Sequence, residues 1–390
     1  MRIRYLLLHA YGMGGTIRTV LNQAAAMAEH GHEVEIVSVV RRREKPHFPF
    51  DPRLSVTTLV DQRDGVLTDS VVRKVWRRVR GKVVPLGEFA AEYFTERVEK
   101  AVIDYVSALD DGVLVTTRPA LNLIAARRGS KHVTRVAQEH MNLSAYREPV
   151  RADIFRHYHK LDAVTVLTTS SRDEYRRAVP DTPVVRIPNA VQLPAGTTPS
   201  QQENPVVVAA GRLVHQKGFD MLIPAFAHVA ERHPQWRLRI FGTGPKRARL
   251  KALISEHGLD EHVHLMGRTT TLGEELSQAS IYALSSRFEG LPMVMIEAMG
   301  HALPIVAFDC PTGPADVLSN GKDGVIVPPR DVDAFATALD QLMSDRDRRL
   351  RMGAEAAATA RNFAPDVVMP VWVKFFDELA HGKSVTGSRP

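Results

Sequence analysis

Short apolar runs alternate along this chain with longer stretches in which apolar residues return every three or four positions. Tyr5 to His9 reads as a buried strand, and Ile17, Val20, Leu21, Ala24 and Ala28 then follow at helical spacing. Gly31 marks the helix end, and Val34 to Val40 is the next strand. Leu54 to Val60, Val113 to Thr117, Val133 to Ala137, Ala163 to Leu167 and Val184 to Ile187 are further strand-like runs, with Glu88 to Leu109 reading as one long helix. Pro188 to Val191 closes this half, and Ala195 to Pro205, rich in Gly, Thr, Ser, Pro and Gln, reads as a linker.

The scheme then starts again. Val206 to Ala210, Leu238 to Phe241, Val263 to Met266, Ile281 to Leu284 and Pro304 to Phe308 are strands, with helices over Phe219 to Arg232 and Lys246 to His257. Arg348 to Arg361 and Val367 to Leu379 read as terminal helices, and Gly382 to Pro390 as a disordered tail. Strands alternating with helices predict parallel sheets covered on both faces, whose ligands bind beyond the carboxyl ends of the strands. The expected organisation is α/β: a first domain over residues 1–191, a second over 205–365, residues 366–381 packing back on the first, and a tail over 382–390.

Composition narrows the function classes. The 390 residues are 44% hydrophobic and 24% charged, as a packed two-domain protein requires. A single cysteine, Cys310, excludes an intramolecular disulfide and reads as a small buried apolar residue. The run Met1 to Leu8 starts like a signal peptide but is too short, and a glycine loop follows where a cleavage region would lie. No stretch approaches the ~20 apolar residues of a membrane span, so a cytoplasmic protein is expected. A net charge of +7 suits phosphorylated ligands, an anionic membrane face or nucleic acid. There is no helix-turn-helix signature, zinc-ligand spacing or aromatic RNA-binding strand, so nucleic acid is not an expected partner.

One segment points to a membrane surface. Over Val71 to Val84, Val71, Val72, Val75, Trp76, Val79 and Val83 share one helical face. Arg73, Lys74, Arg77, Arg78, Arg80 and Lys82 crowd the rest. A helix of this kind packs its apolar stripe on the domain or docks on anionic lipid; Arg73, Lys74, Trp76, Arg77, Arg78 and Arg80 are the candidate contacts for peripheral association.

The candidate chemistry lies at strand ends. Gly12-Met13-Gly14-Gly15 follows the first strand, yet the dinucleotide fingerprint lacks its last glycine. Arg41, Arg42 and Arg43 could grip an NADP phosphate or form a solvated charge run. Arg212 and Lys217 flank the loop after Val206–Ala210, a planar fork and a mobile ammonium suited to a diphosphate. His140 stands just past another strand end. Glu289 and Glu297 bracket seven residues that include Gly290 and Pro292. Proline is favoured as the first helical residue. That places Glu289 and Gly290 in a loop, Glu297 in the second turn, and the amides of Leu291, Met293 and Val294 open to a phosphate. Asp331 and Asp333 have metal-ligand spacing, but Asp331 before Ala334 reads better as a helix cap.

Together these residues resemble the GT-B glycosyltransferases, and specifically family 4, the retaining enzymes with a Glu-x7-Glu motif. Gly14-Gly15-Thr16-Ile17-Arg18 is similar to the family's N-terminal loop. Gly211-Arg212 through Lys217-Gly218 is similar to its Gly-Arg…Lys-Gly segment, and Thr312-Gly313-Pro314 with Asn320 to Gly324 to its closing segment. The resemblance implies two Rossmann-like domains facing across a cleft, with the last helix crossing back to the first domain. It implies a nucleotide diphosphate sugar as donor, UDP before GDP, and a glycan, cell-envelope polymer or lipid-linked acceptor. The enzyme would be a hexosyl- or N-acetylhexosaminyltransferase. Arg212 and Lys217 would hold the diphosphate with the amides of Gly290 to Val294. Glu297 would take the ribose, Glu289 the donor sugar, and Gly14 and Gly15 would face the diphosphate. Arg268 would lie near the base and His140 near the transferred sugar. Members commonly work without metal, so no cofactor is expected. Met141 and Asn142 follow His140 where many relatives have an acid. An NADP-dependent oxidoreductase and a non-catalytic, membrane-docked sugar-nucleotide-binding protein are the alternatives.

Overall fold

The computed structural model describes residues 1–65, 83–85, 87–193 and 199–381. The chain forms two compact units, Met1–Pro188 with Met369–Pro390, and Asn189–Val368.

The first unit holds β1 (Arg2–Leu7), β2 (Glu33–Arg41), β3 (Ser55–Asp61), β4 (Val113–Thr116), β5 (Thr134–Gln138), β6 (Ala163–Val166) and β7 (Val184–Arg186). They pair in the order β3-β2-β1-β4-β5-β6-β7, every neighbouring pair parallel. The second unit holds β8 (Val206–Ala210), β9 (Arg237–Phe241), β10 (Val263–Gly267), β11 (Ile281–Leu284), β12 (Ile305–Phe308) and β13 (Gly324–Val327). Their order is β10-β9-β8-β11-β12-β13, again all parallel. In each sheet the chain starts in the middle, winds outward, then returns to the other side of its first strand. The reversal falls between β1 and β4 and between β8 and β11, the crevices where doubly wound sheets take ligands.

Continuous apolar strands follow from helices on both faces. Ile3, Tyr5 and Leu6 of β1 are wholly buried, as are Val207, Val208 and Ala209 of β8. The helix Pro365–Ala380 supplies part of the first unit's core. Phe376 meets Tyr5 edge-on with ring centroids 6.5 Å apart, and Trp372 stacks on Phe376 at 5.7 Å. Both geometries are favoured aromatic packings. Among the described residues no helix is long and apolar enough to cross a membrane.

The expected long helix over Glu88 to Leu109 is two pieces, a 3-10 turn over Ala91–Tyr93 and a helix over Glu96–Ala108. The break has local causes. The buried Glu88 carboxylate accepts from its own turn at the Ala90 amide (2.6 Å) and pairs with Arg118 (3.0 Å). Thr95 then caps the helix through the Val98 amide. Apolar periodicity spans the break because Ala90, Phe94 and Val98 all enter one core. β13 also escaped the pattern, since Asn320 to Gly324 drew notice only as a motif. Most of the basic stretch Val71 to Val84, with Arg73, Lys74, Trp76, Arg77, Arg78 and Arg80, lies outside the described residues; of it, Val83 and Val84 are seen, and both are buried. Part of the linker (194–198) and the tail (382–390) also lie outside them.

Asp331 is a helix cap. Its Oδ1 accepts the Ala334 amide at 2.9 Å, opening the helix Val332–Ser344. Asp331→Ala should lower unfolding stability by about 1 kcal/mol and leave ligand binding unchanged. Thermal unfolding beside nucleotide titration checks both, and loss of nucleotide binding would give Asp331 a functional role beyond the cap.

Candidate active site

Three loops meet beyond the carboxyl ends of β8, β11 and β12. The first, Gly211 to Gly218, ends in a 3-10 turn over His215–Lys217. The second, Ser285 to Pro292, leads into the helix Met293–Gly300. The third runs from Asp309 to Gly313. The first two are joined by a dense set of bonds. The Arg287 guanidinium grips both Asp220 carboxylate oxygens, at 2.8 and 2.6 Å, and donates to the His215 carbonyl at 2.7 Å. The Arg287 amide donates to the Gln216 carbonyl at 2.8 Å, and Gln216 Nε2 returns a bond to the Phe288 carbonyl at 3.0 Å. Ser285 Oγ donates to the Lys217 carbonyl at 2.9 Å. The Arg287 hydrogen bonds hold the Asp220 carboxyl below its ordinary range.

At the centre of this set lies an ion pair. Lys217 Nζ stands 2.7 Å from Glu289 Oε1, and the same oxygen accepts from Ser286 Oγ at 2.5 Å. Glu289 is only 5% exposed. Thr312 Oγ1 donates to the Glu289 carbonyl at 2.6 Å, which fixes the third loop. The Lys217 stem lies over Gly211, where an added Cβ would come within 2.9 Å of Lys217 Cε. Gly211 is therefore a close-approach glycine. Expectation had Lys217 and Glu289 acting on different parts of a ligand; instead they hold each other. A lysine ammonium has three donors, so one bond to Glu289 leaves it able to meet a phosphate oxygen as well.

Arg212 is exposed, and no ion pair holds it among the described residues. Glu297 sits half-buried in the second turn of Met293–Gly300. Pro292 is not the first helical residue. Its ψ of 74° leaves the helical region, and it precedes the helix as cap. Consequently the Met293 amide turns back to the Leu291 carbonyl at 2.9 Å and is not open. The amides of Leu291 and Val294 have no backbone acceptor among the described residues. Arg268 follows β10, the outer strand of this sheet, two strands from β8. It adjoins the glycine loop after β9 through the Gly242 amide, which donates to the Gly267 carbonyl at 2.6 Å.

In the first unit, Gly14 and Gly15 open the helix Gly15–Glu29 without a side-chain cap. A Cβ added to either would meet no protein atom within 4 Å. These positions do not need glycine for packing. Of the candidates for an NADP phosphate, Arg41, Arg42 and Arg43, the first two are occupied. Arg41 lies 4.4 Å over the Tyr11 ring and donates to the Glu44 carbonyl at 2.7 Å. Arg42 lies 3.9 Å over Tyr93 and donates to Gln62 at 2.8 Å.

His140 follows β5, and both of its ring nitrogens are buried without a hydrogen-bond partner. Burial pushes the imidazole down to about 4 from an ordinary value of 6.5. The folded chain therefore binds fewer protons here than the unfolded chain between those values. The stability of the neutral ring is present above pH 6.5 and is lost as pH falls towards 4. His140→Phe should abolish this share of the acid sensitivity, about 1 to 3 kcal/mol by pH 4. Urea unfolding from pH 7 to 4 measures it, and identical pH slopes in wild type and variant would overturn it.

Residues 196–359 match the model for glycosyl transferases group 1. The chain is 34% identical over 97% of its length to an exopolysaccharide phosphotransferase of Streptomyces coelicolor, spanning 41% of that protein. Among solved structures, the fold superposes on S. aureus TarM in complex with fondaparinux, alpha-GlcNAc-glycerol and UDP (TM-score 0.76, 15% identity, 96% of this chain and 99% of that one). It also superposes on the pneumococcal O-GlcNAc transferase GtfA in complex with UDP and GlcNAc (TM-score 0.75, 16% identity, 98% and 99%). The fold is GT-B, and the loops around Lys217 and Glu289 fall inside the matched glycosyl transferase domain.

Proposed function

We propose that this protein is a retaining glycosyltransferase of the Glu-x7-Glu type. It moves a hexosyl or N-acetylhexosaminyl group from a UDP-sugar to a hydroxyl of a cell-envelope glycan, polymer or lipid-linked acceptor. One observation carries the proposal: a buried carboxylate, Glu289, paired with Lys217 at the crevice between β8 and β11, inside a glycosyl transferase domain. A polysaccharide acceptor is supported by the name of the exopolysaccharide relative, and UDP by the ligand of the two superposed structures.

In this reading Arg212 supplies an uncommitted guanidinium to the diphosphate, and Lys217 a second cation held in place by Glu289. Charge develops on the leaving diphosphate during transfer, and cations fixed beforehand stabilise it without reorganising. The open amides of Leu291 and Val294 add donors at the start of Met293–Gly300. Glu289 takes donor-sugar hydroxyls with its second oxygen, and Glu297 the ribose. By the family resemblance, Gly14 and Gly15 serve the diphosphate, His140 the transferred sugar, and Arg268 the base. No protein group need remove the acceptor proton, because the departing phosphate can. No metal enters the scheme. The membrane reading of Val71 to Val84 remains part of the proposal, with the acceptor reached at an anionic lipid surface.

Calorimetry with UDP and with NADPH, followed by mass analysis of products from a panel of UDP-sugars, tests this reading. Micromolar UDP binding and UDP release from at least one donor are expected. Tight NADPH binding without UDP binding would sink it.

A further inference from the structure

The first unit contains a buried carboxyl that the scheme above does not use. Glu139, one residue before His140, is 1% exposed. Its Oε1 accepts from Asn122 Nδ2 at 2.8 Å and from the Tyr158 hydroxyl at 2.5 Å, and its Oε2 accepts from the Tyr146 hydroxyl at 2.8 Å. Each donor comes from a different place: Asn122 from the helix Pro119–Arg128 after β4, Tyr146 from the end of the 3-10 turn Leu143–Ala145, and Tyr158 from the turn Tyr158–Lys160. One carboxyl thus ties three elements to the end of β5. The Glu139 amide also continues the sheet ladder to the Thr165 carbonyl at 2.9 Å.

Beyond His140 the chain is pinned again. Asn142 Oδ1 accepts the Ala145 amide at 2.8 Å, and the Leu143 amide donates to Glu174 at 3.1 Å. Between these two anchors stands His140, whose buried ring nitrogens have no hydrogen-bond partner. A side chain without partners takes its direction from the backbone that carries it and from its packing. Burial pushes the Glu139 carboxyl up, against the hydrogen bonds that favour its charged form. A buried acid is an unfavourable tether on its own, which gives its placement beside an unpartnered histidine a purpose.

We propose that Glu139 is the positioning residue for His140, fixing the backbone that aims the imidazole at the transferred sugar. The functional half of this inference rests on the transferase reading, while the positional half does not. Glu139→Gln keeps the shape and one accepting oxygen but turns the other into an amide donor, set either against the Tyr146 hydroxyl or against Asn122 Nδ2 and the Tyr158 hydroxyl, so the anchor slackens. The imidazole should then shift towards an exposed histidine. In ¹⁵N NMR its titration should move upward, towards the ordinary 6.5. With UDP-glucose and UDP-N-acetylglucosamine as probes and UDP release as readout, Glu139→Gln should lower kcat about 10- to 100-fold, with donor KM little changed. The double variant Glu139→Gln/His140→Ala should be no slower than His140→Ala alone, because Glu139 acts through His140. Its thermal stability should still fall below that of His140→Ala by the full Glu139→Gln increment.

An unmoved His140 titration in Glu139→Gln would overturn the proposal whether or not the protein uses nucleotide sugars. So would a double variant whose kcat loss is the product of the two single losses, since Glu139 would then act independently of His140. A moved titration in a protein that releases UDP from neither probe would support the positioning and count against the transferase reading.

Discussion

Lys217→Ala should lower kcat/KM for the sugar-nucleotide donor about 100- to 1,000-fold, the range seen when a preorganised charge stabiliser is removed. It should also destabilise the protein. The wild-type Nζ sits 2.7 Å from Glu289 Oε1, and Glu289 has 7% side-chain exposure. Removing the ammonium leaves a buried carboxylate facing Ser286 without its countercharge, and breaking a buried pair in this way is costly. Two effects would therefore be mixed in the single variant. Lys217→Ala/Glu289→Gln separates them. With both charges gone, stability should return most of the way, while donor turnover should be no higher than in Lys217→Ala. Urea unfolding and initial-rate kinetics on the three proteins decide the matter. Turnover by Lys217→Ala within about threefold of wild type, far short of the tenfold per 1.4 kcal/mol a lost transition-state contact implies, would mean that Lys217 is only a structural partner of Glu289.

That pairing marks the boundary of what could be read in the chain. Strand-like runs of four to seven residues located all the strands but β13, because strands covered on both faces carry little polar punctuation. Gly211, Arg212, Lys217, Glu289 and Glu297 stood out by residue type, and the first four lie on the loops that meet at the crevice, with Glu297 in the helix just beyond. Which atoms would meet was not legible. Lys217 and Glu289 are 72 positions apart, as are His215 and Arg287. No local periodicity reports a contact of that separation. Arg287 lies two residues before the Glu-x7-Glu stretch and has no signature of its own; only the fold shows that its fork closes on Asp220. The Pro292 expectation failed for a related reason. Proline fixes φ, which suits a first helical residue, but ψ is set by the tight Leu291–Met293 turn that the neighbouring loops impose. Glu139 escaped because a lone acid before a histidine has no signature; its meaning lies in Asn122, Tyr146 and Tyr158, which three separate elements bring to it.

Gly218→Ala should destabilise the protein by about 3 to 5 kcal/mol. Gly218 has φ 64° and ψ 21°, the left-handed region. An L side chain there costs roughly 1 to 2 kcal/mol before any contact is counted. The contact adds more. An ideal Cβ would lie 2.0 Å from the Ser285 carbonyl oxygen and 2.7 Å from Met221 Cε. The methionine tip can move aside; the carbonyl cannot, because it belongs to the backbone leaving β11. Making room means parting the two loops, and with them the bonds from Ser285 Oγ to the Lys217 carbonyl and from the Arg287 amide to the Gln216 carbonyl. Lys217 would then be drawn away from Glu289, so any protein that still folds should lose donor binding as well. Gly15→Ala is the contrast. A Cβ at Gly15 meets nothing within 4 Å, so its unfolding midpoint should match wild type, and under the transferase reading its methyl would trouble only the donor. Urea unfolding of both variants, with UDP titration of whatever folds, makes the comparison. A Gly218→Ala protein with a wild-type midpoint would show that the two loops can separate without cost, and the close contact at Ser285 would no longer account for a glycine at that position.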